Sequence, residues 1–308
     1  MAYRLEPGES VREGLRRIAR EELARAGAGL LEATAGGRDD AIHEARKSIK
    51  KVRAILRLMR GELGRTFGIE NRRLREVGRR LSAYRDGAVM IETLDRLAGF
   101  RPDERNAPML AAIRRDLAAN QRRQRLGDGM TNAIQRAAGE LLAVEARIGR
   151  WRLVMDGPVA LAPGMETAYR RGRARLADVR RHARPEFCHE WRKRVKDHWY
   201  HLRLIERRWN PAMRGRERSL KELETWLGEH HNLEVLAARI EADGRTRREA
   251  DRCRKLIRAM QRDLRAKAIK LGERLYREPP DAFAKRLAVL WRPHCARRRV
   301  RHSGPADG

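Results

Sequence analysis

The residues from His43 to Arg60, "HEARKSIKKVRAILRLMR", set one histidine and seven Lys or Arg side chains against a single acid, Glu44. Side chains of these types bind anions. A phosphate accepts charge-assisted hydrogen bonds from lysine and from the planar fork of arginine. Their spacing says where they point. At 100° per residue from Ala45, the residues Ala45, Ile49, Val52, Leu56 and Met59 fall within roughly 40° of one line, an apolar stripe for a core. His43, Arg46, Lys50, Arg53, Arg57 and Arg60 fall together between roughly 60° and 160°. That three-four alternation belongs to the a and d positions of a coiled coil, with cations in place of leucines. From His43 to Arg57 the seam covers roughly 21 Å, the length of an extended ligand rather than of one ion.

A charge run on a helix is usually a solvated face. Such faces mix signs, so that i,i+4 pairs help, and this seam does not. The pattern is also written twice. "HEWRKRVKDHWYHLRLIE" begins at His189, and an ungapped alignment carries His43–Met90 onto His189–Leu236 at a constant offset of 146. His43, Arg46, Lys47, Lys50, Leu56, Arg57 and Leu58 return as His189, Arg192, Lys193, Lys196, Leu202, Arg203 and Leu204. Further on, Arg72, Leu74, Glu76 and Leu81 return as Arg218, Leu220, Glu222 and Leu227. The second copy departs at Trp199 and Glu206, which replace Arg53 and Arg60 and make its seam shorter and partly apolar. Its core stripe, Trp191, Val195, His198, Leu202 and Ile205, puts His198 in the interior, bonded to a neighbour.

The elements that must position these residues are helices. Helical apolar spacing predicts them over 9–33, 39–63, 70–98, 106–148, 164–183, 186–210, 215–242, 246–277 and 281–299. Turn chemistry separates them: "AGGRDD", "GFRPDERNAP", "MDGPVALAPG" and "EPP". The break near 153–165 divides the chain into halves whose entries echo each other, "LEPG" at 5–8 and "LAPG" at 161–164. The expectation is an all-α fold of two similar four-helix bundles from an internal duplication, residues 1–155 and 156–300. The last helix is an added cap, and 301–308 a basic, polar tail.

Composition agrees. Lys and Arg number 72 against 42 Asp and Glu, a net charge of +30 that calls for a polyanionic partner. Three cysteines without a CxxC pair suit a reducing compartment. The start "MAYRLEPGES" lacks a secretion signal, and no apolar run is long enough for a membrane span, so a cytoplasmic location is expected.

The duplicated pattern HxxRKxxK…LR resembles the CHAD domain, named for its histidine and its α-helices. "LSAYRDGAVMIETL" at 81–94, "YRRGRARL" at 169–176 and "YREPPDAFAKRLAVLW" at 276–291 are similar too, and the likeness runs from about Val11 to Trp291. The resemblance implies two four-helix bundles related by approximate two-fold symmetry, a basic channel between them, inorganic polyphosphate as ligand and association with polyphosphate granules. Such domains often follow a triphosphate tunnel metalloenzyme domain; no acidic, alternating strand pattern occurs here, so the chain reads as stand-alone. Carried over by position, the ligand-facing candidates are His43, Arg46, Lys47, Lys50 and Arg57 with His189, Arg192, Lys193, Lys196 and Arg203, and Arg53 as an addition without a twin. Arg72 and Arg75 with Arg218 and Lys221 form a second tier, and Arg12 and Arg170 a third. Where Arg85–Asp86 stand, the second half has His231–Asn232, which removes an ion pair.

Other chemistry fits less well. A structural zinc site wants four closely spaced ligands, commonly Cys pairs; Cys188, Cys253 and Cys295 lie far apart. Metal-assisted phosphate cleavage needs carboxylates, which the seam does not supply, and Glu76 and Glu222 read as i,i+4 partners of Arg72 and Arg218. No phosphate loop or nucleophile elbow occurs. Binding without turnover and without a cofactor is the expectation, with polyphosphate-metabolising enzymes as candidate partners. The competing ligand is the phosphate backbone of RNA or single-stranded DNA, although the chain has few aromatic platforms for stacked bases. A membrane surface fits a seam poorly.

Overall fold

The computed structural model describes residues 3–6, 8–34, 37–82, 86–125, 128–205, 211–243 and 245–290. Among these the secondary structure is helical, as the apolar spacing predicts. The first half holds α1 (Val11–Leu31), α2 (Arg38–Leu58), a single turn α3 (Arg60–Leu63), α4 (Arg65–Ser82), α5 (Asp86–Phe100), α6 (Ala107–Arg125) and α7 (Asp128–Glu145). The second holds α8 (Gly157–Arg181), α9 (Pro185–Leu204), α10 (Pro211–Ala242), α11 (Arg247–Leu275) and α12 (Pro280–Leu290). No described helix is long and apolar enough to cross a membrane.

Local chemistry starts these helices. Ser10 accepts from the Glu13 backbone N–H at 3.2 Å, and Thr246 from that of Glu249 at 3.3 Å, while each hydroxyl donates to the carboxylate of the same acid. Asp156 serves two helices at once, accepting from Gly157 N–H at 2.9 Å and from Val11 N–H at 2.6 Å, so one carboxylate fastens the starts of α8 and α1. α2 has no side-chain cap, but Asp39 and Asp40 in its first turn and Arg57 in its last suit the helix dipole.

Packing repeats in order. α1 packs on α2, α2 on α4, α4 on α7 and α7 on α1; α8 packs on α9, α9 on α10, α10 on α11 and α11 on α8. Each half thus closes a ring of four helices, and the rings meet where α2 lies against α9 and α8. Both predicted stripes are buried. Ala45, Ile49, Val52, Leu56 and Met59 are at most 2% exposed, and Trp191, Val195, His198, Leu202 and Ile205 at most 1%. The α5–α6 pair leaves the first ring and builds a second core against the far ends of α10 and α11, with Leu94, Leu97, Leu110 and Ile113 facing Leu233, Leu236 and Ile257.

Four boundaries differ from the sequence reading. The predicted 39–63 helix stops at Leu58, and Gly64 turns the chain with φ of +49° into α4. The predicted 70–98 helix starts earlier and is two helices, α4 and α5, with 83–85 outside the described residues; its repeat, α10, is continuous. The 106–148 span likewise comprises α6 and α7. The mid-chain break is shorter than predicted, because the Asp156 cap starts α8 at Gly157 and the helix runs on through Pro163. Residues 206–210 and 291–308, including Glu206, Trp291, Cys295 and the tail, lie outside the described residues.

Candidate functional site

The α2–α9 contact brings the two basic seams together. Lys50 and Lys196 are counterparts at the offset of 146, and each sits among cations: Lys50 beside Lys196, Arg46 and Arg192, and Lys196 beside Arg192 and Lys221. Burial, with Lys196, Arg46 and Arg192 adding to it, pulls the Lys50 ammonium down to about 7. The Lys196 ammonium is lowered by burial as well, opposed by Glu224. Glu224, from α10, is 4% exposed and accepts from Lys196 Nζ at 2.8 Å, Arg192 Nη2 at 3.1 Å and Lys221 Nζ at 3.2 Å. Burial alone would raise its pKa, but Lys196 and Arg192 outweigh that and hold it at about 2.

A second cationic group continues the seam toward the C-terminal end of α2. Arg57 pairs with Asp197 of α9 at 2.6 Å, and Arg194 approaches the same carboxylate at 3.6 Å. Arg53 donates to Asn71 Oδ1 at 3.0 Å, and burial with Arg57, Arg75 and Arg194 nearby pulls it down to about 10. Arg171, lowered by burial and by Arg194 and Arg60, extends the group onto α8. On the second-half side, Arg203 lies 5.8 Å from the Tyr3 ring centroid and 5.2 Å from that of Trp199, which Lys221 also approaches at 4.8 Å.

Neutral contacts also hold the junction. His201 of α9 donates from Nε2 to the Ala54 carbonyl of α2 at 2.9 Å, and burial pulls its pKa down to about 4, so the imidazole stays neutral. Tyr3 gives its hydroxyl to the Lys51 carbonyl at 3.1 Å, and Leu5 N–H bonds the Leu204 carbonyl at 2.7 Å, so the N-terminal segment ties α2 to α9. Gly164 of α8 has α2 so close that a Cβ there would overlap the Leu58 carbonyl oxygen.

A family model for the CHAD domain matches residues 11–241. The chain belongs to the CHAD domain family. The crystal structure of the CHAD domain from the plant Ricinus communis is similar with a TM-score of 0.62, over 95% of this chain and 96% of that one, at 17% identity. At that identity the likeness is one of fold. No curated protein matches the chain.

Of the residues singled out in sequence, this CHAD fold gathers Arg46, Lys50, Arg53, Arg57, Arg192, Lys196 and Arg203 along the α2–α9 contact, and Arg75 and Lys221 join from α4 and α10. Others lie apart. Lys47 pairs with Glu44 at 2.7 Å and Lys193 with Glu190 at 2.5 Å, both on their own helix surfaces. His43 is 42% exposed, and its described partner is Glu44 at 3.9 Å. His189 packs on His231, ring centroids 4.0 Å apart, and its pKa is lowered by burial and by Lys193 and Arg192. Arg12, Arg72 and Arg218 are exposed, and Arg170 pairs with Glu166 at 3.4 Å. The expected Arg72–Glu76 pair is replaced: Glu76 bonds Arg79, one turn C-terminal. Arg85 lies outside the described residues.

His198 is buried as expected, 3.3 Å from the Tyr276 hydroxyl. Cys188 and Cys253 are buried free thiols. Among the described residues no group of three or more His, Cys, Asp or Glu is arranged to hold a metal ion. Sequence reasoning missed Arg171, Arg194, Asp197 and Glu224. The offset alignment carries a signal for the last two, since it sets Asp197 against Lys51 and Glu224 against Gly78.

Proposed function

We propose that this CHAD chain binds inorganic polyphosphate along the α2–α9 seam and does not turn it over. The observation that carries this reading is the meeting of Lys50 and Lys196, each half-buried, with Arg46 and Arg192 beside them. Like charges so placed repel, and the low local dielectric enlarges the repulsion. An array held under that strain gains most from a linear polyanion, whose successive phosphates each accept from several donors. The carboxylates that enter the seam, Glu224 and Asp197, are engaged by Arg and Lys, which suits a binding site better than a metal-dependent hydrolase.

A nucleic-acid backbone would meet the same cations but would lack platforms for its bases. Trp199 is 9% exposed and already carries Arg203 and Lys221, so little of its face remains for stacking. The reading places the protein with polyphosphate granules or with enzymes that make or consume the polymer.

The test is a competition at near-physiological salt between long-chain polyphosphate, single-stranded RNA and duplex DNA. Polyphosphate should win. Replacing Arg46, Lys50, Arg192 and Lys196 together with Ala should lower its affinity at least about a hundredfold, since each charge-assisted hydrogen bond contributes roughly 1.5–3 kcal/mol. Helicity should persist, because all four side chains lie off the core stripes. Preference for RNA, or unchanged polyphosphate binding in the folded variant, would overturn the reading.

A further inference from the structure

Glu224 stands where the first half has glycine. At the offset of 146 its counterpart is Gly78, and its three donors, Arg192, Lys196 and Lys221, correspond to Arg46, Lys50 and Arg75. Three cationic donors from two helices around one oxyanion is the arrangement a ligand phosphate would receive, and here a side chain of the protein receives it. Gly78 is not demanded by the backbone, because it lies within α4 and its φ is not positive. Nor is it demanded by space: a Cβ there would meet Ile49 Cγ2 at 3.5 Å, an ordinary contact. The second-half cations therefore meet a carboxylate at the position where the first half has a glycine that could carry a side chain, while Asp197 takes Arg57 of the first half.

We propose that Glu224 is a built-in stand-in for a ligand phosphate, holding the second-half cations while the seam is empty and yielding them to a chain already anchored by the first half. This rests on the polyphosphate reading above and deepens it into a length preference. A short anion must displace Glu224 from three donors unaided. A long chain held by Arg46 and Arg53 presents its next phosphates to the same donors at high effective concentration. The carboxylate thus discriminates against short phosphates such as tripolyphosphate.

The experiment measures affinities of the full chain for tripolyphosphate and for long-chain polyphosphate, with circular dichroism as the check on folding. Glu224→Gln keeps the size and an acceptor oxygen but removes the charge. It should tighten tripolyphosphate binding by about tenfold, within the usual range of coupling between sites, and long-chain binding by less. Gly78→Glu should do the reverse in the first half, weakening the long chain several-fold. If the folded Glu224→Gln variant binds tripolyphosphate no more tightly than the parent, Glu224 merely positions its neighbours and the inference falls. It falls equally if folded Gly78→Glu binds long chains unchanged. A parent protein that binds no long-chain polyphosphate would instead sink the functional reading on which this rests.

Discussion

Lys50 sits where burial, Lys196, Arg46 and Arg192 pull its pKa from 10.5 down to about 7. Between those two values the unfolded chain holds more protons than the folded one, so stability rises with pH across that window. The cost of the half-buried ammonium is full below pH 7 and is relieved as the pH climbs toward 10.5. A bound polyanion reverses the balance, because phosphates beside Lys50 favour its charged form. Binding at pH 8 should therefore take up close to one proton per seam from this residue, and little from it at pH 6, where the ammonium is already formed. Titration calorimetry in buffers of different ionisation enthalpy reads that uptake directly. Lys50→Arg keeps the charge at every accessible pH and should abolish the pH 8 component; an unchanged uptake in that variant would assign the proton to another group. His189, also lowered by burial, Lys193 and Arg192, contributes at lower pH, which separates the two.

At the scale of elements, the seam exists because α2, α8 and α9 approach closely, and Gly164 sets part of that approach. A methyl group there would strike the Leu58 carbonyl oxygen at the end of α2, backbone that cannot rotate away. Gly164→Ala should cost about 1–3 kcal/mol as overpacking, read as a lower urea midpoint. Gly139→Ala, in a helix with open space around the new methyl, should stabilise by up to about 1 kcal/mol. If both variants behaved alike, the close approach would not be setting the geometry. The sequence shows which helices do this work and which faces they turn inward, because a 3.6-residue period projects core and cations onto separate lines whatever the neighbours are. The Lys50–Lys196 meeting is legible too, since both occupy one place in the repeated pattern. Glu224, Asp197 and the α5–α6 excursion are less legible, as each depends on which helix lies alongside. Lys47 and Lys193 repeat as faithfully as Lys50 does, yet a neighbouring acid three residues back holds each on its own helix. Repetition alone does not tell a site from a shared surface habit. The motif on α8 points to Arg170, which pairs with Glu166, whereas the cation that reaches the seam is the next residue, Arg171.

Over the whole molecule the excess of charge gives salt two opposite effects. The chain carries a net +30, and beyond the seam further cations crowd together, as where Arg173, Arg180, Lys270, Arg274 and Arg277 line a groove of about 690 Å³ between α8 and α11 with one acid, Glu273, which pairs with Arg180. Repulsion among these charges opposes the compact state, and ions in solution screen it. Raising salt from about 50 to 300 mM should therefore stabilise the free protein, with each kcal/mol gained shifting Tm by roughly 2–4 °C for a chain of this class. The same ions weaken the polyanion complex, because every phosphate neutralised releases condensed counterions whose return is favoured at high salt. Thermal melts with and without long-chain polyphosphate should then converge as salt rises, the free curve moving up and the bound one down. The fourfold Ala variant of the seam should show the first effect and, at physiological salt, almost none of the second. Weak binding should survive in it only at low salt, through outer cations such as those between α8 and α11. Melts that stay equally far apart at every salt concentration would mean that the polymer is held by something other than this charge.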